Sequence, residues 1–373
     1  MKKLFLALFL ILLLPAAAGA GETVRIPVVA PLSGPWAAFG QGVRNGARLK
    51  AEELNTNGGI NGKPVTIEFI DDLGEPGAAA AVAARLAGDP RVAVVVGHIC
   101  SSATLAALPI YREARLPAIT PASTNPAIGR SSPYYFRTIY QDDQQGAFLA
   151  GYVRQVRHCS RVAILYQNSD YGLGLEQAFV DKARELGLEI VARAPYRAVT
   201  TAFQAQLAGF RAKRPDALFI AGYAPQASLI ISQARNLGME CVIFGADGLD
   251  DGLLLENPAA EGVFLTTPFL ADRGGAMVRD FVERYRQKFG LEADWLAANT
   301  YDAVGLAAAA LARAGCNRER IRAWLTRLDS PEKAYAGITG PIFFDLYGDC
   351  RKPLLVKMIR NHRWSGDTAQ LQP

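Results

Sequence analysis

The chain has 373 residues, half of them hydrophobic, with 40 basic and 35 acidic side chains and a formal net charge of +5. That length exceeds one ordinary core and predicts two domains. The basic residues are scattered, as in Arg211, Lys213 and Arg214, which describes a solvated surface and sets nucleic acid aside as a partner.

At the start of the chain Lys2-Lys3 precede an apolar run from Leu4 to Leu14, and Ala18-Gly19-Ala20 forms an A-x-A cleavage site. This is the pattern of a secretory signal peptide over residues 1–20, its run being short for a membrane span of about 20 residues. No Cys stands at the cleavage point, which argues against a lipid anchor. The Ala-rich stretch Gly305–Ala312 is broken by Arg313 and is too short to cross a bilayer. An exported, soluble mature protein is expected.

Strand-like apolar runs then alternate with helix-length amphipathic segments. The runs are Val24–Ala30, Val65–Ile70, Val92–Gly97, Pro117–Thr120, Val162–Tyr166, Glu189–Ala192, Ala217–Gly222, Val242–Gly245 and Gly262–Thr267. Predicted helices between them include Gly42–Leu54, Gly77–Leu86, Gln144–Val156, Glu176–Leu186, Phe203–Lys213 and Ala227–Leu237. Continuous apolar strands separated by helices are the signature of a parallel sheet covered on both faces. The alternation runs once before Tyr140 and again after Arg161, so the fold class is α/β, with two doubly wound parallel-sheet lobes. Asn55–Gly62 reads as a helix C-cap and turn, and Asp71-Asp72 as a turn rather than a metal site.

In open α/β sheets ligands bind beyond the carboxyl ends of the strands. The third and fourth runs of lobe one are followed by His98-Ile99-Cys100-Ser101-Ser102 and by Pro121-Ala122-Ser123-Thr124-Asn125. Each is a hydroxyl-rich turn able to open a helix, and together they make a cradle for a small anion such as a carboxylate. Tyr171, Tyr223 and Asp247 follow strands of lobe two, and Ser33, Phe39 and Gly40 follow the first strand of the chain. Hydroxyls from one lobe would therefore face tyrosines and a carboxylate from the other, a pairing suited to a zwitterion.

Catalytic readings find little support. There is no G-x-S-x-G elbow and no Walker A loop, and Gly172-Leu173-Gly174 lacks the third glycine of a dinucleotide fingerprint. Ser101 has no base in sequence reach, and His98 is expected to pack at its strand end. The three histidines are far apart and no two of the five cysteines form a C-x-x-C pair, which argues against zinc. No catalytic residue, metal or cofactor is assigned, and the protein is expected not to be an enzyme.

Across nearly the whole mature chain the sequence resembles the periplasmic leucine/isoleucine/valine-binding proteins of ABC importers. The motifs that carry the resemblance are Ala30-Pro31-Leu32-Ser33-Gly34-Pro35, Asn57–Gly62, Gly97–Ser102, Pro121–Pro126, Asp170–Gly174, Ala221-Gly222-Tyr223 and Thr300-Tyr301-Asp302-Ala303. The resemblance implies a type I periplasmic-binding fold, its two lobes joined by three crossovers and closing over the ligand. Lobe one would comprise 21–141 with 270–351, and lobe two 142–269 with 352–373. It further implies a periplasmic monomer that binds an apolar, branched-chain amino acid and delivers it to a membrane ABC permease. Carried over by position, Ser101 with neighbouring amides and Thr124 would hold the ligand carboxylate. The Ala122 carbonyl, Thr124 and Asp247 would take the ammonium group, with Ser102 and Ser123 in the same two loops. Tyr171 and Tyr223 would close from lobe two, Phe39 and Trp295 would line the side-chain pocket, and Tyr301 would be structural.

Three departures bear on the ligand. Asp247 stands where the best-known members carry Glu, Trp295 where Tyr is usual, and Phe39 where a Trp occurs. These change the pocket and leave an aromatic acid, an amide or urea open as ligands. A ligand-sensing receptor domain shares the fold too. The usual disulfide partner of Cys100 is absent, Gly74 standing in its place, and a Cys316–Cys350 pair is left open.

Overall fold

The computed structural model describes residues 23–368, so the predicted signal peptide lies outside the described residues. The first sheet holds β1 (Val24–Ala30), β2 (Val65–Asp71), β3 (Val95–Val96), β4 (Ala118–Thr120) and β5 (Tyr135–Arg137) in the order β2-β1-β3-β4-β5. Every neighbouring pair is parallel. Between the strands run α1 (Ala37–Thr56), α2 (Pro76–Gly88), α3 (Ser101–Glu113) and the short α4 (Ala127–Ser131). Alternate residues of β1 serve opposite cores, as period two requires. Ile26, Val28 and Ala30 join Val43 and Ala47 of α1, while Val29 packs with Leu86 of α2 and Leu108 of α3. Burial on both faces explains the unbroken apolar run.

After β5 the chain crosses into α5 (Asp142–Gln155) and a second sheet. That sheet takes β6 (Arg161–Gln167), β7 (Glu189–Tyr196), β8 (Ala217–Ala221), β9 (Val242–Gly245) and β10 (Phe264–Thr267), with α6 (Asp170–Glu185), α7 (Gln204–Ala212) and α8 (Ala224–Asn236) between them. Ile164 packs with Leu149 of α5 and Phe179 of α6, and its neighbour Leu165 with Leu207 of α7 and Ile230 of α8.

A second crossing, between Thr267 and Ala276, returns the chain to the first sheet. There α9 (Ala276–Phe289), α10 (Trp295–Ala314), α11 (Arg318–Leu325) and the hairpin β11 (Tyr335–Gly337)–β12 (Gly340–Ile342) complete the core beneath α1. The backbones of α1 and α10 touch closely: a Cβ at Gly46 would sit 2.2 Å from the Ala297 carbonyl oxygen, so only glycine fits. Tyr301 of α10 accepts a hydrogen bond from Arg284 at 3.1 Å and donates to Glu53, a structural tie as expected.

The third crossing leads to β13 (Leu355–Arg360) and β14 (Arg363–Gly366), giving the order β14-β13-β10-β9-β8-β6-β7. The expected parallel-sheet lobes are present, with two antiparallel strands added at one edge of the second sheet. β13 runs antiparallel to β10, and β14 antiparallel to β13. No helix precedes β13 to reverse the chain, and a two-residue turn joins it to β14. Asn361 and His362 occupy that turn at φ 51° and 57°, a geometry normally announced by Asn-Gly, which this sequence lacks.

The Cys316–Cys350 pair left open by the sequence does not form. All five cysteines are free, Cys316 being exposed and Cys350 buried. The Cys100 sulfur lies 3.1 Å from where a Cβ of residue 74 would stand. Among the described residues no helix is long and apolar enough to cross a membrane.

Candidate ligand-binding cleft

The carboxyl ends of both sheets face one small cavity. Lobe-one strands β3 and β4 lead into Ile99, Cys100, Ser101, Ala122 and Thr124 on its wall. Phe39 in the first turn of α1, and Trp295-Leu296 opening α10, complete that side. Across the gap stand Tyr171 at the start of α6, Tyr223 behind β8, and Asp247-Gly248 behind β9.

One end of the cavity suits an anion. Ser101 is the first residue of the 13-residue helix α3, whose opening amides have no acceptor within the helix and carry the positive end of its dipole. The Ser101 hydroxyl is buried and accepts a hydrogen bond from the Asn125 amide at 3.3 Å.

The other end suits a cation. Asp247 is 3% exposed, and its Oδ1 accepts hydrogen bonds from Gln145 Nε2 at 2.7 Å and the Tyr171 hydroxyl at 2.9 Å. The orientation of Gln145 is fixed by its neighbours. The Asp247 amide can only donate, so the atom 3.2 Å from it must be Oε1, which the Thr266 hydroxyl also meets at 2.6 Å. Both Nε2 hydrogens are thereby turned toward acids. Burial pushes the Asp247 carboxyl up to about 6, opposed by the bonds from Gln145 and Tyr171. Its partners are an amide and a phenol, not a cation. A Cβ at Gly248 would lie 2.6 Å from the Gly222 carbonyl oxygen and 2.8 Å from the Tyr171 ring, so glycine is needed for this close approach.

Between the two ends the walls are aromatic. Tyr223 stacks on Tyr171 with ring centroids 4.9 Å apart, and meets Trp36 at 4.6 Å and Phe39 at 5.9 Å from lobe one. Trp295 is buried with its indole N–H unpartnered. Such rings offer apolar area with polar edges, as a short hydrophobic side chain beside a charged head group requires.

A family model described as "Periplasmic binding protein" matches residues 23–349. The chain belongs to the periplasmic binding protein family. An amino acid binding protein of Pseudomonas aeruginosa is 33% identical over 331 residues, covering 85% of this chain and 86% of the relative. Among solved structures, a leucine-binding protein of Thermotoga maritima shares 32% identity at a TM-score of 0.87, covering 93% of this chain and 98% of that one. The branched-chain amino acid transporter substrate-binding protein of Streptococcus pneumoniae, in complex with isoleucine, is 29% identical at a TM-score of 0.87. It covers 94% of this chain and 100% of its own.

In this periplasmic binding protein, eight of the residues expected at the site reach the cavity wall: Phe39, Ser101, Ala122, Thr124, Tyr171, Tyr223, Asp247 and Trp295. Ser102 and Ser123 do not. A helix turns about 100° per residue, so Ser102 leaves the face that Ser101 presents, and its hydroxyl accepts from the Asp170 amide at 3.3 Å. Ser123 is spent inside lobe one, on Thr104 at 2.6 Å and the Ile99 carbonyl at 2.9 Å. His98 packs at its strand end as expected, between Asp72 at 2.6 Å and Tyr111 at 3.0 Å.

Sequence reasoning missed Trp36, Asp142, Gln145 and Gly248. Trp36 ends a 3₁₀ turn one residue beyond the Pro-rich motif Ala30–Pro35, so its neighbourhood carried a signal. Asp142 and Gln145 lie in the first turn of α5 behind β5, a strand absent from the predicted runs, and the contact of Gln145 with Asp247 spans about a hundred residues.

Proposed function

We propose that this periplasmic binding protein is the solute-binding component of an ABC importer. It takes an apolar, branched-chain α-amino acid between lobe one (21–141 with 270–351) and lobe two (142–269 with 352–373). The observation that carries the reading is Asp247, a buried carboxylate without a cationic partner, set in one cavity with the Ser101 hydroxyl and the amino end of α3. An ammonium group answers the first and a carboxylate the second. Thr124 serves both groups and the Ala122 carbonyl the ammonium, while Phe39, Tyr223 and Trp295 enclose the side chain. The names of the leucine- and isoleucine-binding relatives support the same ligand class.

No chemical step is needed. The ligand bridges the lobes, shifts an open–closed equilibrium by its preference for the closed form, and the closed monomer presents it to a membrane permease. Export to the periplasm behind residues 1–20 fits that role. The ring of Trp36, Phe39, Tyr171, Tyr223 and Trp295 favours a second reading, an aromatic acid in the same cleft.

Calorimetry on protein unfolded and refolded to strip bound ligand tests this. Leucine, isoleucine or valine should bind at least about tenfold tighter than 4-methylpentanoate, which has the leucine side chain and carboxylate but no amine. Equal binding of 4-methylpentanoate, or tighter binding of benzoate, would overturn the amino-acid reading.

A further inference from the structure

Asp142, the first residue of α5, is fully buried, and its Oδ2 accepts no hydrogen bond. Its Oδ1 receives a long contact from Gln145 Nε2, at 3.4 Å, and the Thr124 side chain also bonds the carboxyl. That same nitrogen binds Asp247 at 2.7 Å, so one side-chain amide spans two buried carboxyl groups.

The surrounding cations are committed elsewhere. Arg137 of β5 holds Asp349 at 2.5 Å and the carbonyls of Ser123 and Asn125. Lys357 of β13 holds Asp250 at 2.5 Å. The other groups acting on the pair are acidic or neutral. They are Asp143 beside Asp142 on α5, Thr124 behind β4, Asp250 behind β9, Tyr140 before α5, Tyr171 on α6, Tyr223 behind β8 and Thr266 on β10. Arg137 lowers the Asp142 carboxyl only through its charge, and among the described residues no cation hydrogen-bonds to either acid, so two anions so placed repel each other and lack hydration.

We propose that Asp142 and Asp247 act as one linked acidic pair that holds a proton in the empty closed cleft and releases it when a cationic ligand group enters. The O–H bond of one carboxyl group breaks, its proton passes to solvent, and the ligand ammonium supplies the positive charge in its place. Asp142 is thus a positioning residue of the ammonium site, acting through Gln145 and Asp247. Burial and the nearby Asp247 charge hold the Asp142 carboxyl well above the usual carboxylate range, consistent with this.

The inference rests on the amino-acid reading above, and the sign of its pH dependence follows from it. The pair binds its proton more tightly in the empty cleft than in the filled one. Affinity therefore rises with pH between those two values and levels off above the empty-cleft value. The ammonium of a free amino acid stays protonated through this range, so the dependence belongs to the protein.

Leucine binding to the full protein, measured by calorimetry at about pH 7.5 in buffers of different ionisation enthalpy, should show a net release of protons. Wild-type affinity should fall by up to about tenfold per unit on going toward about pH 5.5. Asp142→Asn keeps the shape and neutrality of the protonated acid. It should lose the proton release at about pH 7.5 and weaken leucine by roughly tenfold or more. Leucine binding with a buffer-independent enthalpy and a flat wild-type pH profile would overturn the linked pair and leave the proposed ligand class standing. Failure of any amino acid to bind would overturn both. The wild-type measurements decide the matter even if the variant does not fold.

Discussion

The side-chain amide of Asn125 donates to the Asp170 carbonyl at 2.7 Å, joining the loop behind β4 to the first residue of α6 across the cleft. Beside it the Asp170 amide donates to the Ser102 hydroxyl at 3.3 Å. These bonds link the two lobes directly and touch no residue of the cavity wall, so they act on closure alone.

Ser102→Ala should therefore weaken every ligand by the same factor, roughly 2- to 10-fold, the worth of one hydrogen bond of about 0.5–1.5 kcal/mol. Ligand ranking by calorimetry should stay as in the wild type. A change confined to one ligand would place Ser102 in contact with it instead.

Ser101→Ala acts at the carboxylate end. Loss of a hydroxyl bonded to a charged group should remove about 1.5–3 kcal/mol, or roughly 10- to 150-fold in affinity. Because the effect is on the carboxylate, leucine and 4-methylpentanoate should lose similar factors. Loss for leucine alone would mean that Ser101 serves the ammonium.

Asp247 carries opposite consequences for binding and stability. Its carboxyl is raised to about 6 in the closed, empty protein from an ordinary value of 3.8. A raised acid binds its proton more tightly when folded. Its contribution is then fully present below about pH 4 and lost as pH rises through about 6. Above that, an ionised Asp247 costs on the order of 3 kcal/mol. Asp247→Asn should raise the melting temperature of ligand-free protein at about pH 7.5 and have little effect near pH 4. The same variant should bind leucine far more weakly. A lower melting temperature at neutral pH would show that the empty cleft does not bury this charge.

The parts legible in the sequence are those in which neighbours along the chain decide the outcome. Val24–Ala30 and Ala217–Ala221 announce themselves because a strand covered on both faces must be apolar throughout. Ser101, Thr124, Tyr223 and Asp247 could be found because a residue just behind such a strand emerges at the sheet's carboxyl edge, wherever the sheet lies in space. Phe39 could be found in the same way behind the first strand, and motif resemblance extended the list to Trp295, which stands at a helix start instead.

What needed the tertiary structure was direction and distance. Ser101 and Ser102 are adjacent and chemically identical, and only the docking of α3 decides that one faces the cavity and the other Asp170. The edge strands β13 and β14 join the second sheet after the chain has crossed between lobes three times, a step without local signal. Gln145 and Asp142 resemble any polar residues in the first turns of a helix until the fold brings β9 and its Asp247 beside them. A hydroxyl-rich turn can be read as an anion cradle from its own residues. A buried carboxyl pair without a counter-ion depends on every group that fails to reach it, and that is settled only when the chain is packed.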